Sequence, residues 1–125
     1  MIEHVSLGTH RYTDATVFYL SVLAPLGLQL QRNTGQEVAF GTPERWSFFL
    51  YPIPETEVVS AGGMHVALGA GSREQVQAVY RAALAASAQE IFSPRERPDI
   101  SPTYFGAMFA DLDGHRMEVL TNAAA

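Results

Sequence analysis

The sequence predicts an α+β protein of a single domain, residues 1–125, built from two βαβββ modules. The first module begins with HVSLG at 4–8, and HVALG follows 61 residues later at 65–69. The same order of predicted strands and helices then follows in both halves of the chain. A chain of this length buries enough surface for one core, so the repeat divides one domain rather than marking two.

Further matched positions indicate a duplication. The same shift aligns Tyr19 with Tyr80. Later in the chain, alignment of Leu50 with Leu120 requires one extra residue in the last turn of the second half. The two modules therefore span about 1–58 and 59–125, joined by a stretch that contains prolines and glycines.

In the first module, apolar alternation and turn residues define the elements. Alternation over 2–8 predicts a strand. Thr13 is expected to cap a helix over 14–24, which Pro25 terminates. The alternating segments that follow predict strands over 28–33, 36–41 and 46–52.

The second module repeats that order. A strand over 64–69 leads to Ser72, and Gln75 three residues later completes the capping-box pattern for a helix over 73–86. Three prolines between 93 and 102 predict a loop placed to lie over the site, because proline cannot donate to the ladder of a central strand. The remaining strands are predicted over 89–92, 103–110 and 115–121.

Composition excludes several classes of function. All eight basic residues are arginines scattered along a chain of net charge −5, which argues against a nucleic-acid partner. Without lysine there is no Schiff-base chemistry and no P-loop, and without cysteine there are no disulfides or thiolate ligands. No apolar run reaches the roughly eighteen residues of a membrane span. The N-terminus shows no export signal, so we expect a cytoplasmic protein without a membrane partner.

Strand alternation places His4 and His65 on equivalent faces of two equivalent strands. In each strand Val and Leu point to one face, while on the other face the histidine is followed only by small residues. A single histidine on a strand is more often a hydrogen-bonded structural residue than a ligand. Two histidines at equivalent positions of a repeat instead favour convergence on one point.

Glu118 supplies a third group for such a site. It lies between Met117 and Val119 in the last strand, where a buried, unpaired carboxylate would cost on the order of several kcal/mol. Two imidazoles and one carboxylate form a facial triad that holds a divalent ion and leaves coordination positions open. Fe(II), Mn(II), Ni(II) and Zn(II) all tolerate this set, so the sequence predicts one divalent metal ion of open identity.

Three segments in order resemble the signatures of the vicinal oxygen chelate superfamily of glyoxalases, bleomycin resistance proteins and extradiol dioxygenases. They are I-x-H-V-x-L at the N-terminus, H-V-A in mid-chain and D-x-D-G-H-x-x-E at 111–118. The resemblance covers essentially the whole chain. It implies that the modules curl into a U-shaped mixed sheet around a metal held by His4, His65 and Glu118. It also implies a homodimer and a small-molecule substrate whose oxygens bind the ion, which stabilises an anionic intermediate.

Glyoxalase I-type members of the superfamily use a fourth ligand, which this chain lacks. With Leu50 aligned to Leu120, Phe48 stands in the position of the second carboxylate. In those relatives that carboxylate is also the base, so the resemblance implies a lyase or dioxygenase type rather than a plain glyoxalase I. The alternative is a metal-free protein of the bleomycin-resistance type that sequesters a small molecule in its cleft.

Other side chains are candidates for the same site. Glu118 and Tyr104 are predicted catalytic groups, although a strand aromatic explains Tyr104 equally well. Ser6, Trp46, Phe48 and Tyr104 are predicted to bind substrate, Trp46 and Phe48 as an apolar wall.

For four further polar residues, the sequence predicts either two alternative roles or no role in the site. Arg95 and Arg97 would either meet an anionic substrate from the proline-rich loop or be solvated. His10 is expected to be solvated, and His115 to be a turn residue.

Two dimer arrangements are compatible with the resemblance. In one, His4, His65 and Glu118 come from the same chain. In the other, His4 of one chain joins His65 and Glu118 of the other. The linker length does not decide between them, and we expect the shared arrangement.

Overall fold

The computed structural model describes residues 1–125 and contains two βαβββ modules, as predicted. The first comprises β1 (Val5–Thr9), α1 (Tyr12–Leu23), a short 3-10 helix (Ala24–Leu26), β2 (Gln29–Asn33), β3 (Val38–Gly41) and β4 (Trp46–Pro52). The second comprises β5 (Val66–Gly69), α2 (Arg73–Ala85), β6 (Gln89–Glu96), β7 (Phe105–Ala110) and β8 (Arg116–Thr121). Neither helix is long and apolar enough to cross a membrane.

Each module forms its own four-stranded mixed sheet, with its first strand at one edge. The strand order is β1-β4-β3-β2 in the first sheet and β5-β8-β7-β6 in the second. In both sheets the first and last strands run parallel, and the other neighbours are antiparallel. No ladder joins the two sheets, so the outer edges of β1 and β5 have no strand partner. The first strands of the modules are therefore not sheet neighbours within one chain.

The modules pack against each other through their helices. Helix α1 contacts α2, and the two helices bury apolar side chains such as Phe18, Val22 and Val79. One core cluster contains residues of both modules. The sheet faces turned away from this core carry exposed residues such as Ser6 and Ala67. These outer faces are available for a site.

The two helices begin differently. Ser72 caps α2 as predicted, because its hydroxyl accepts from the amide of Gln75 at 3.2 Å. Helix α1 begins at Tyr12, before Thr13, so the prediction that Thr13 caps it is wrong. The turn ahead of α1 is held instead by Thr9, whose hydroxyl accepts from the amide of Arg11 at 2.9 Å.

Strand β6 continues past the predicted boundary, through Pro94 to Glu96. It is an edge strand, where the missing N–H of proline costs no ladder bond. The ladder with β7 also shifts register between Phe92 and Arg95, around the proline. Only the residues after Glu96 form the expected loop before β7.

Candidate functional site

Glu118 and His65 are in contact on the outer face of the second sheet. Glu118 pairs with Ala67 in the β5–β8 ladder, and His65 stands directly before β5 on the same face. The Nε2 atom of His65 lies 3.1 Å from Oε1 of Glu118. The imidazole is 46% exposed and the carboxylate side chain 10%. One predicted pair of ligands therefore converges, with the histidine facing solvent.

Tyr104 holds the other oxygen of the same carboxylate. Its hydroxyl donates to Oε2 of Glu118 at 2.5 Å, and the residue is only 3% exposed. Burial, and then the hydrogen bond to Glu118, raise the pKa of the Tyr104 phenol. The phenol is therefore a protonated donor across the ordinary pH range.

His4 occupies the equivalent place in the first module but lies apart from this pair. Its Nδ1 is 2.5 Å from Oε1 of Glu3, and its ring meets Phe49 edge-on at 5.1 Å. Within one chain, no cluster of three His, Asp or Glu side chains could hold a metal ion. The structure thus brings together two of the three predicted ligands and leaves His4 separate.

The strand ladders identify the position equivalent to Glu118. Ser6 pairs with Phe49 in the first sheet, and its counterpart Ala67 pairs with Glu118 in the second. The counterpart of Glu118 is therefore Phe49, and the alignment that placed Phe48 there is wrong by one residue. The sequence alignment assigned one extra residue to the last turn of the second half. A register shift between β3 and β4, next to Gly41, offsets that residue in the first half.

Phe48 belongs to the core, so its predicted place in the substrate wall is wrong. It is 2% exposed, and its ring packs 4.7 Å from that of Tyr19. Phe49 and Tyr51 take the outer face instead, half-buried and stacked with 13° between their planes. The conclusion that no fourth carboxylate exists still holds, because phenylalanine at 49 cannot ligate.

Phe49 and Tyr51 are the residues that sequence reasoning missed. A usable signal was present in the chain. Phe40 pairs with Phe48, and its counterpart Phe109 pairs with Met117, at the same separation. In the sequence, Phe40 and Phe109 are as far apart as Phe49 and Glu118, so alignment from the two phenylalanines, rather than from the leucines, would have found the correct face.

Ser6 and Trp46 are placed differently with respect to the site. Ser6 and His65 line one cavity of about 100 Å³, together with His115 of the turn before β8. Trp46 begins β4, half-buried, with the guanidinium of Arg32 at 4.8 Å from its ring. Ser6 thus lies near His65 in the site. The ring of Trp46 instead packs against the Arg32 guanidinium.

The D-x-D-G-H segment joins the two modules just before Glu118. Asp113 accepts the hydroxyl of Thr9 at 2.5 Å and the amide of His10 at 2.9 Å. Nε2 of His115 lies 2.7 Å from the carbonyl oxygen of Gly8. His115 is a turn residue, as predicted, but it also fastens the second module to β1.

Asp111 is the buried centre of this junction. One of its oxygens accepts the backbone amides of Asp113 and His115, both at 2.9 Å. The other accepts the hydroxyl of Tyr19 at 2.5 Å. Burial raises the pKa of Asp111, and burial together with the charge of Asp111 raises that of Tyr19. The start of β8, and hence Glu118, is therefore attached to helix α1.

Three further residues have defined surroundings. Nε2 of His10, expected to be solvated, lies 2.9 Å from the carbonyl oxygen of Glu57. Arg95 and Arg97 both stand near the ring of Phe92, at 5.5 and 5.1 Å. Arg97 also pairs with Asp99 at 2.7 Å, which raises the pKa of the Arg97 guanidinium.

The fold is that of solved glyoxalase/bleomycin resistance proteins. A glyoxalase/bleomycin resistance protein from Albidiferax ferrireducens superposes with a TM-score of 0.82 at 22% identity, covering 95% of this chain and 97% of that one. A glyoxalase/bleomycin resistance protein/dioxygenase family enzyme from Burkholderia phytofirmans gives 0.74 at 16% identity, covering 98% of each chain. The predicted fold of two βαβββ modules is thereby confirmed.

A third similar structure contains a metal. It is a variant of the fosfomycin resistance protein FosX from Listeria monocytogenes, complexed with Mn(II) and 1S,2S-dihydroxypropylphosphonic acid. Its TM-score is 0.70 at 17% identity, covering 95% of this chain and 87% of that one. The sequence itself matches no family model and no curated protein.

Proposed function

We propose that this chain is a metal-dependent enzyme of the lyase or dioxygenase type, active as a homodimer on a small oxygen-bearing molecule. Each divalent-metal site would combine His65 and Glu118 of one subunit with His4 of the partner subunit. The observation that carries the proposal is the 3.1 Å contact between His65 and Glu118 in a chain that keeps His4 apart. Such a pair is an incomplete facial triad, and a second copy supplies what is missing.

The free sheet edges support this assembly. Strands β1 and β5 both end their sheets without a strand partner, and an unpaired edge strand is a liability that proteins avoid. In a symmetric dimer, β1 of one copy can lie beside β5 of the other, twice over, so β1 and β5 of both copies gain a strand partner. Because His4 and His65 directly precede these strands, the same juxtaposition brings the two imidazoles together.

The residues present fit a divalent ion. His65 offers a half-exposed imidazole, and Glu118 offers a carboxylate oxygen beside it. When bound, the ion would act as a Lewis acid on a substrate oxygen. The chain's own residues then have separable roles: Glu118 is held by Tyr104, while Phe49 and Tyr51 form an apolar wall beside His4. A weakly polar substrate suits that wall.

A metal-free binding protein is the second candidate. Phe49 at the fourth ligand position favours it, because this phenylalanine and the stacked Tyr51 present aromatic surface where glyoxalase I would bind metal. Metal analysis separates the two candidates. Protein purified without chelator and without a histidine tag should contain one divalent ion per subunit, whereas the binding protein would contain no stoichiometric metal.

A mixing experiment tests the shared site. The variants His4→Ala and Glu118→Ala should each lose the metal without loss of helix or strand content by circular dichroism. After joint refolding, heterodimers isolated through two different non-histidine tags should regain up to half of the sites, because one site then keeps all three ligands. The control His10→Ala, outside the site, should retain metal. Heterodimers with no metal would establish sites built within single chains, and a monomer by light scattering would remove the shared site.

A further inference from the structure

We infer that Tyr104 and Gly106 act together as a positioning device that fixes the rotation of the Glu118 carboxylate. The inference rests on the proposed function in one respect, namely that Glu118 is a metal ligand. The device itself is described entirely by contacts within one chain. It assigns to Tyr104 a role in orienting a ligand, with no contact to the reacting molecule.

The two oxygens of Glu118 have different partners. Oε2 accepts the Tyr104 hydroxyl at 2.5 Å, and Oε1 faces Nε2 of His65 at 3.1 Å. With Oε2 held by the phenol, the carboxylate cannot turn about its terminal bond without losing a buried hydrogen bond. Oε1 is therefore presented on the side of His65, where a shared ion would sit. Outer partners of this kind orient ligands at metal sites generally.

Gly106 makes room for the phenol. A Cβ atom at this position would lie 2.5 Å from the Tyr104 hydroxyl oxygen and 2.7 Å from Cζ. Gly106 belongs to β7, next to the strand that carries Glu118, and pairs with Leu120 there. The ring of Tyr104 thus crosses β7 at the glycine to reach its neighbour strand. Space, rather than backbone conformation, explains the glycine at this place.

Because Tyr104 is buried, it is not placed to bind substrate. The residue is 3% exposed, and its hydroxyl is already engaged by Oε2. A molecule in the open sheet face can reach His65 but meets almost no surface of Tyr104. The phenol is therefore a positioning group for Glu118.

The test compares Tyr104→Phe and Gly106→Ala with the wild-type dimer in titrations with Mn(II) or Zn(II). Tyr104→Phe keeps the ring and should weaken metal affinity roughly 10- to 100-fold at unchanged stoichiometry. Gly106→Ala should weaken it in the same direction by displacing the phenol. The control is Tyr80→Phe, whose hydroxyl contacts the surface carboxylate of Glu90, and it should leave affinity unchanged.

The double variant tests whether the two residues act as one device. If Gly106 matters only through the phenol, then adding Tyr104→Phe to Gly106→Ala should cause little further loss of affinity. Independent, multiplying losses would overturn the coupling. Thermal melting of Gly106→Ala shows whether its backbone contact with Val119 unfolds the chain. If it does, the Tyr104→Phe titration alone decides.

A metal-free structure makes the failures distinguishable. In crystals of Tyr104→Phe, Glu118 should adopt another orientation or several, with the 3.1 Å contact to His65 lost. Persistence of that contact would overturn the inference whether or not metal binds. Wild-type affinity in Tyr104→Phe would also overturn it and leave the metal site standing. Absence of metal from the wild type would overturn the proposed function, and the crystal comparison would still decide the positioning role.

Discussion

Removal of one hydroxyl at the module junction should produce a specific pH-dependent loss of stability. Tyr19→Phe deletes only the phenol oxygen of a residue that is fully buried and keeps its ring in the core. That oxygen donates to Oδ2 of Asp111 at 2.5 Å, from helix α1 to the segment before β8. Asp111 keeps its two backbone donors on Oδ1. The variant therefore isolates one hydrogen bond between the modules.

The expected loss near neutral pH follows from the charge and burial of the acceptor. Hydrogen bonds to charged groups contribute roughly 1.5–3 kcal/mol, and a buried group left without a partner costs a similar amount. We expect Tyr19→Phe to lower the free energy of unfolding by about 2 kcal/mol at pH 7. In a chain of this length the melting temperature should fall by roughly 6–10 °C.

The pH dependence has a definite sign. Burial, and then the charge of Asp111, raise the pKa of Tyr19 in the folded state. Below about pH 10, the usual phenol pKa, folded and unfolded chains both keep this proton and the contribution is complete. As the pH rises further, the unfolded chain loses the proton first, so stability falls by about 1.4 kcal/mol per pH unit for this group until the folded pKa is reached. The free energy of unfolding of Tyr19→Phe should therefore fall less steeply above about pH 10 than that of the wild type.

Urea unfolding followed by Trp46 fluorescence, at pH 7 and between pH 9.5 and 11, measures both effects. Tyr12→Phe is the matched control, because the Tyr12 hydroxyl contacts Asn33 on the surface. It should change the free energy of unfolding by no more than about 0.5 kcal/mol. An unchanged alkaline slope in Tyr19→Phe, or a loss at pH 7 as small as that of the control, would refute the reasoning.

The corrected register makes three further predictions. Phe48→Ala should lower the free energy of unfolding by about 3–5 kcal/mol and Phe49→Ala by only about 1 kcal/mol, because only Phe48 lies in the core. Equal losses in urea titrations would contradict the pairing of β4 with β1 and β3. With phenylalanine at 49, turnover of the hemithioacetal of methylglyoxal and glutathione should be negligible with any divalent ion, and an enzymatic rate would reveal another base. Phe49→Glu places a carboxylate beside His4 and should tighten metal binding about tenfold or more by calorimetry; unchanged affinity would argue that residue 49 is remote from the ion.

Periodicity and repetition were enough to predict the order of the elements. The repeated HVSLG and HVALG segments and the apolar alternation revealed two βαβββ modules, and the Ser72 cap was visible as a local motif. The same alternation placed His65 opposite the apolar Val66 and Leu68, and Glu118 opposite Met117 and Val119. These features are local, so neighbours along the chain specify them without knowledge of the tertiary fold.

Strand register and edge position were not visible in the same way. A register shift beside Gly41 moves the face of β4 by one residue, so Phe48 faces the core and Phe49 the outer face. An alignment counts residues and cannot show which of them a bulge removes from the pairing. Likewise, Pro94 is compatible with β6 only because that strand lies at a sheet edge.

Long-range partners were decided by the tertiary structure alone. Asp111 and Tyr19 are 92 residues apart, and their pairing exists because the modules pack helix against helix. The same fold leaves β1 and β5 at the edges of separate sheets, and within one chain His4 does not join His65 and Glu118 in a cluster that could hold a metal. The residue types that can ligate a metal are fixed by sequence. Which of them meet depends on how two covalently linked modules bury their apolar faces.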